Sequence, residues 1–270
     1  MTSPLEPGLV PADAHGSGAG THVPPQPGWA DAPRGAWRLL KVLAHLVRGL
    51  AIVYLVWPRL SADRRWALNL RWSGQLLRAL GITLKVEGQP HTGGKLIVAN
   101  HVSWLDIVAI NATHPSRFVS KAEVGQWPLI GKLVDAADTL YLVREKRRDA
   151  MRVLGVMAQA LQHGDTVAVF PEGTTGSGHG LLHFHSNLFQ AAIDADRPIQ
   201  PVVLRYSDRS GAVSSAAAYI GDTTLLQSLW WVVTARDLTV RVRILAPQAC
   251  GHADRRSLAE NIQSQIAANL

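Results

Sequence analysis

An α/β fold, with a mixed sheet covered by helices and preceded by an N-terminal two-helix element, is what this chain predicts. Three observations predict it. Short apolar runs of buried-strand type alternate with stretches of helical spacing across residues 82–270. Two long amphipathic stretches fill residues 34–81. Near the end, Leu238, Val240, Val242 and Ile244 alternate with Thr239, Arg241 and Arg243, the pattern of a strand with one wet face. At 270 residues the chain can bury one sizeable core, so one catalytic-size domain is expected over residues 82–270.

Residues 1–33 hold seven prolines and five glycines with almost no hydrophobic periodicity, which predicts a disordered leader. Residues 34–81 read as two helices broken at Pro58. Ile82, Leu84 and Val86 then alternate like a half-buried strand. Leu96 to Ala99, Phe118-Val119, Leu140 to Val143, Val167 to Phe170 and Val202 to Leu204 are the buried-strand runs. Between them the clearest helix is Asp149 to His163, where Ala150, Val153, Leu154, Met157 and Leu161 share a face and Gly164 supplies a stop. Asp254 is placed to cap a final helix to Asn269. No internal repeat of solenoid length is visible.

The net charge of +7 is concentrated in one place. Residues 31–81 carry nine arginines and lysines against Asp31 and Asp63, so this stretch alone accounts for the whole excess. Trp37, Trp57, Trp66 and Trp72 lie among those cations, a combination suited to an anionic membrane interface. Arg34, Arg38, Lys41, His45 and Arg48 step by four, three, four and three, which draws a polar stripe along an otherwise apolar helix. Arg64, Arg71 and Arg78 draw a second. The uninterrupted apolar run Gly49 to Trp57 is too short to cross a bilayer, which takes about 20 residues. The expectation is a monotopic helix pair lying in the interface, with its apolar faces in the acyl region. The long apolar content between the cations argues against nucleic acid as the partner. The single cysteine, Cys250, excludes an intramolecular disulfide and fits a reducing compartment, and the first thirty residues lack the apolar core of a secretory signal.

Chemistry enters with Asn100-His101-Val102-Ser103-Trp104-Leu105-Asp106, directly after the run Leu96-Ile97-Val98. A general base needs its orienting carboxylate within roughly 2.6–3.2 Å. On a regular helix a five-residue step turns by about 140°. The pair therefore works only if His101 lies on a strand-to-helix turn and Asp106 in the first helical turns, with Ser103 as the expected N-cap. No G-x-S-x-G elbow is present, so a hydroxyl on an acceptor, not on the enzyme, is the expected nucleophile. His179, His183 and His185 form the one histidine cluster, but no cysteine or ordered zinc spacing accompanies them, and no metal is expected.

Four ordered segments extend the pattern. After His101 and Asp106 come Lys121, Glu123, Pro128 and Gly131, then Tyr141-Leu142-Val143-Arg144, Phe170-Pro171-Glu172-Gly173-Thr174-Thr175 and Ile199-Gln200-Pro201-Val202. The chain resembles the bacterial 1-acylglycerol-3-phosphate acyltransferase family, with its H-x4-D motif, over roughly residues 80–245. The resemblance implies transfer of a fatty acyl group from acyl-CoA or acyl carrier protein, as co-substrate without a cofactor, to the free hydroxyl of a lysolipid. It implies His101 and Asp106 as catalytic residues and Arg144, Glu172, Gly173, Thr174 and Thr175 as substrate-binding residues. It also implies work at the cytoplasmic face of the inner membrane, on a surface rich in anionic lipid.

One residue departs from that pattern. Phosphate-specific members continue the third motif as Glu-Gly-Thr-Arg, whereas here Thr175 stands in the arginine's place. A hydroxyl carries no charge and cannot bind phosphate oxygens bidentately. The first acceptor to expect is 1-acylglycerol-3-phosphate, giving phosphatidic acid. Lyso-ornithine lipid is the alternative. From another class, a non-catalytic lipid-binding scaffold is opposed by the intact His101 and Asp106.

Overall fold

A computed structural model of the protein describes residues 25–127, 129–142 and 147–270. In chain order these form α1 (Ala32–Leu55), a 3-10 turn (Trp57–Arg59), α2 (Ala62–Leu80), β1 (Thr83–Glu87), β2 (Lys95–Ala99), α3 (Leu105–Asn111), β3 (Arg117–Lys121) and α4 (Ala122–Gly125). There follow α5 (Ile130–Ala136), β4 (Leu140–Leu142), α6 (Arg147–Gln162), β5 (Thr166–Val169), α7 (Gln190–Ala195), β6 (Ile199–Ser207), α8 (Leu225–Thr234), β7 (Thr239–Ile244) and α9 (Arg255–Ala268).

The seven strands form one sheet in the order β1-β7-β6-β2-β5-β3-β4. Neighbours are parallel except β6 and β7, so the sheet is mixed, as expected. Strand β2 is central and buried at all five positions. Its side chains alternate between two cores. Ile97 and Ala99 face the core under α2, α3 and α8, and Leu96 and Val98 face the core shared with α6, α7 and α9. Strand β6 runs further than the Val202–Leu204 core of the expectation. Hydrogen bonding to β2 on one side and β7 on the other carries it through Gln200 and Arg205. At the end, Asp254 Oδ1 accepts from the Arg256 and Ser257 amides at 3.0 Å, the expected cap of α9.

The N-terminal element departs from expectation in two respects. Of the leader expected over residues 1–33, residues 1–24 lie outside the described residues. The remainder includes a 3-10 turn at Trp29–Asp31 and the start of α1 at Ala32. Asp31 anchors this entry through Arg34 at 2.5 Å and Arg236 at 2.8 Å. Second, much of the first polar stripe faces inward. Arg34 donates to the Thr234 carbonyl at 2.6 Å, and Arg38 donates to those of Val233 and Ala235 at 2.9 and 2.8 Å. These carbonyls end α8, where the helix leaves acceptors unpaired and its dipole favours a cation. His45 is buried, stacked on Trp72 with ring centroids 4.8 Å apart. The arginine spacing thus reflects capping of a neighbouring helix as much as a wet surface.

Turning that stripe inward leaves Trp37, Leu40, Ala44, Val47, Ala51 and Tyr54 along the outer side of α1. All are exposed, Trp37, Leu40, Val47 and Tyr54 by 57–62%. Arg64, Arg71 and Arg78 on α2 are also exposed, as the second stripe predicts. No helix among the described residues is long and apolar enough to cross a membrane. The two helices cross closely because position 49 has no side chain. A Cβ on Gly49 would lie 2.6 Å from Trp72 Nε1.

Candidate active site

The site forms where the chain leaves the carboxyl ends of β2 and β5, adjacent strands whose connections run to opposite sides of the sheet. Open α/β sheets place their crevices at such points. Asn100 continues β2 beyond its last residue, because its side chain mimics a peptide. Its Nδ2 donates to the Leu204 carbonyl at 2.9 Å and its Oδ1 accepts from the Leu204 amide at 2.8 Å. The next residue is therefore set on the strand-to-helix turn that the spacing required.

There the Nδ1 of His101 lies 2.8 Å from Asp106 Oδ2. The same oxygen accepts from the Val102 amide at 2.7 Å and the Ser103 amide at 2.9 Å, and Oδ1 accepts from the Tyr206 hydroxyl at 2.8 Å. Asp106 is completely buried, and these donors replace the water it has lost. Since the carboxylate only accepts, the imidazole carries its proton on Nδ1 and turns a lone pair outward at Nε2. His101 keeps 19% of its side-chain exposure, and among the described residues nothing bonds Nε2. The expected N-cap at Ser103 is not formed. Trp104 takes that position in α3, the Ser103 hydroxyl is buried without a partner among the described residues, and the Asp106 carboxylate binds the loop amides from within the helix.

The third motif packs around His101. Phe170 stacks on the imidazole with centroids 4.0 Å apart and planes 10° apart. Glu172 is buried, and its oxygens accept from the His101 amide at 2.7 Å and the Leu182 amide at 2.9 Å. Burial pushes its carboxyl up to about 7, although both amide bonds pull the other way. The contacts of Glu172 in this structure are thus with the main chain at His101 and Leu182. Gly173 sits at φ +71, a left-handed turn that favours glycine. Thr174 is exposed at the rim. The Thr175 hydroxyl donates to the Tyr219 carbonyl, whose own amide donates to the Val102 carbonyl at 3.0 Å. The Gly176 amide holds the His101 carbonyl at 2.7 Å. Arg144 and Pro128 lie outside the described residues, as do the side chains of Lys121 and Glu123. Pro201 and Val202 are interior positions of β6, opposite Val98 and Ala99. His183 and His185 meet edge to face at 5.7 Å.

An apolar groove of about 290 Å³ opens beside the pair. Val42, Leu46, Ile52 and Val53 of α1 and Leu68, Trp72 and Leu76 of α2 form one wall. Trp104, Ile107 and Val108 from α3, with Phe118, Ile130 and Leu133, form the other. Phe118 stacks on Phe170, so an aromatic series runs from the groove to the imidazole. The two-helix element is therefore part of the site, which its separate charge pattern did not foretell. Tyr206 was likewise missed. The signal available was its place on the face of Val202 and Leu204, where a buried phenol needs a partner.

Comparison with known proteins bears on the family and the fold. The Acyltransferase family model matches residues 83–205. A 1-acyl-sn-glycerol-3-phosphate acyltransferase from Neisseria meningitidis is 41% identical over 72% of this chain and 76% of its own length. A lyso-ornithine lipid O-acyltransferase from Pseudomonas aeruginosa is 36% identical over 75% of this chain and 78% of its own. The crystal structure of the 1-acyl-sn-glycerophosphate acyltransferase PlsC from Thermotoga maritima shares the fold. Its TM-score is 0.66 at 18% identity, covering 89% of this chain and 95% of that one.

Proposed function

The chain belongs to the acyltransferase family, and from that premise we propose that it moves a fatty acyl group from a thioester to the free hydroxyl of 1-acylglycerol-3-phosphate. The observation that carries this reading is the free Nε2 of His101, with Nδ1 held by Asp106, beside an apolar groove. Nε2 takes the acceptor's hydroxyl proton as its oxygen attacks the thioester carbonyl. The tetrahedral intermediate then collapses, the carbon–sulfur bond breaks, and the imidazolium returns the proton to the departing thiolate. Asp106 stabilises the imidazolium between these steps. Glu172 acts by fixing the His101 main chain, and the acyl chain lies in the groove.

The oxyanion needs main-chain donors from the glycine-rich turn. The Gly173 and Gly176 amides already serve the Phe170 and His101 carbonyls, which leaves the neighbouring amides of the turn for this role. Acyl-CoA and acyl carrier protein both satisfy the donor chemistry. The exposed stripe on α1 and the arginines of α2 suit a monotopic seat on anionic lipid, at the cytoplasmic face of the inner membrane.

A second acceptor, lyso-ornithine lipid, is favoured by one observation. At the motif's arginine position, Thr175 gives its hydroxyl to the Tyr219 carbonyl, so its side chain has no donor left for a phosphate. A panel of lysolipid acceptors with labelled acyl donors, on purified protein in detergent, tests both readings. Transfer to lysophosphatidate above all others supports the first, and preference for lyso-ornithine lipid supports the second. No transfer to any lysolipid would overturn both.

A further inference from the structure

Strand β6 delivers a third side chain to the His101–Asp106 pair. Tyr206 is 2% exposed, and its ring packs in the core with Leu204 and Val240. Its hydroxyl meets the oxygen of Asp106 that faces away from the imidazole, at 2.8 Å. We propose that Tyr206 is a positioning residue of the acyl-transfer reaction, setting through Asp106 both the orientation and the basicity of His101. This inference rests on His101 being the base.

The physical case has two parts. A carboxylate can turn about its Cβ–Cγ bond, and each orientation offers Nδ1 a different lone pair. The Val102 and Ser103 amides hold Oδ2 from the loop, while Tyr206 holds Oδ1 from the sheet, 100 residues away in sequence. With both oxygens held, the imidazole plane is fixed against Phe170, and Nε2 points in one direction. The second part concerns charge. Every donor to a carboxylate draws off some of its negative charge, so the phenol weakens the pull of Asp106 on the Nδ1 proton. The titratable groups facing His101 are Asp106 from α3, Glu172 from the β5 loop and, through Asp106, Tyr206 from β6. Burial and the Asp106 charge push the phenol well above its ordinary range, so it remains a donor wherever the enzyme works.

Tyr206→Phe removes one oxygen and keeps the ring. Turnover is expected to fall about ten- to a hundredfold, the range of a hydrogen bond to a charged group, with KM little changed. Freed of one donor, Asp106 should hold the imidazolium more tightly, so the acid limb of the kcat/KM profile should move to higher pH. A purely structural role would lower melting temperature without moving that limb. Replacing Tyr206 by 3-fluorotyrosine keeps the fold and makes a stronger donor, so the limb should move to lower pH. That variant decides the matter if Tyr206→Phe does not fold. An acid limb unmoved in the folded variants, with His101→Ala inactive, would overturn the role of Tyr206 alone. An active, folded His101→Ala would overturn the base assignment and this inference together.

Discussion

At the amino end of β2, Lys95 sits with His114 and Thr166. At the carboxyl end of the same region, His101 sits with Asp106 and Tyr206. Both clusters contain an imidazole, a charged partner and a hydroxyl, and both are largely buried. In the first, Lys95 Nζ lies 2.8 Å from His114 Nε2, 2.6 Å from the His91 carbonyl and 3.4 Å from Thr166 Oγ1. Thr166 Oγ1 also lies 3.0 Å from that same nitrogen. The lone pair a base would use is taken up by an ammonium and a hydroxyl. Burial and the neighbouring Lys95 push His114 down to about 4, and burial pushes Lys95 down to about 8. In the second cluster a carboxylate binds Nδ1, and Nε2 has no partner among the described residues. The sign of the partner and the ring nitrogen it occupies separate His114 from His101, the proposed base.

The largest effect should come from testing this contrast directly. His101→Ala is expected to lower turnover by about 10²–10⁴ with the fold intact, the usual contribution of a general base. His114→Ala should leave turnover near wild type but lower stability by about 1–3 kcal/mol, because Lys95 and Thr166 lose a buried partner. Steady-state kinetics and denaturant melts on both proteins check the pair. Equal losses of turnover would dissolve the distinction between the two ends.

An open end also needs a route for lipid, and the outer stripe of α1 lies on the helix whose inner side lines the groove. Leu40→Glu combined with Val47→Glu should reduce partition onto anionic vesicles by about a hundredfold, from the apolar burial lost. Turnover on detergent-dispersed acceptor should persist, since both side chains are exposed in the folded protein. Sedimentation with vesicles at low and high salt measures the first effect. Undiminished binding would remove α1 from the membrane contact.

Thr175→Arg should act more mildly. It gives up the bond to the Tyr219 carbonyl and places a cation at the rim. An arginine there is expected to improve the apparent affinity for a phosphate-bearing acceptor by about tenfold through a charge-assisted bond. Use of an amino-acid lipid should suffer. Kinetics on both acceptors separate the outcomes, and a wild-type preference for lysophosphatidate that ignores the substitution would assign phosphate recognition elsewhere.

Local pattern was legible in the sequence, and long-range pairing was not. The apolar runs marked the strands because each must bury both faces. The five-residue step from His101 to Asp106 required the turn that Asn100 and the loop amides build. The insertion of β7 between β1 and β6 has no local signal, nor does the meeting of Tyr206 with Asp106 across the sheet. Ser103 looked like a cap because its residue type favours one, but the N-cap falls at Trp104, and Asp106 reaches back with a full charge to the Val102 and Ser103 amides. The arginine stripe of α1 was ambiguous for a similar reason. Spacing shows that cations share a face, and only the position of α8 shows what that face meets.

The smallest effect tests the closed end. Lys95 titrates at about 8 in the folded protein against an ordinary value of 10.5. Between those two values the unfolded chain binds more protons than the folded one, so stability should rise with pH across that window. Below it, the folded protein holds a buried ammonium whose desolvation opposes its hydrogen bonds. Lys95→Met keeps the length of the side chain and removes the charge. The rise in stability between about pH 8 and 10.5 should flatten, because the group that links folding to protons is gone. At neutral pH, lost bonds to His91, His114 and Thr166 oppose the relief of burying no charge, and such exchanges are often nearly neutral. Turnover should stay within about twofold, since sites this separate usually act independently. Urea melts across the window measure the slope, and kinetics measure the rest. A slope unchanged from wild type would mean that Lys95 does not titrate there. A large loss of turnover would mean that the two ends of β2 are coupled.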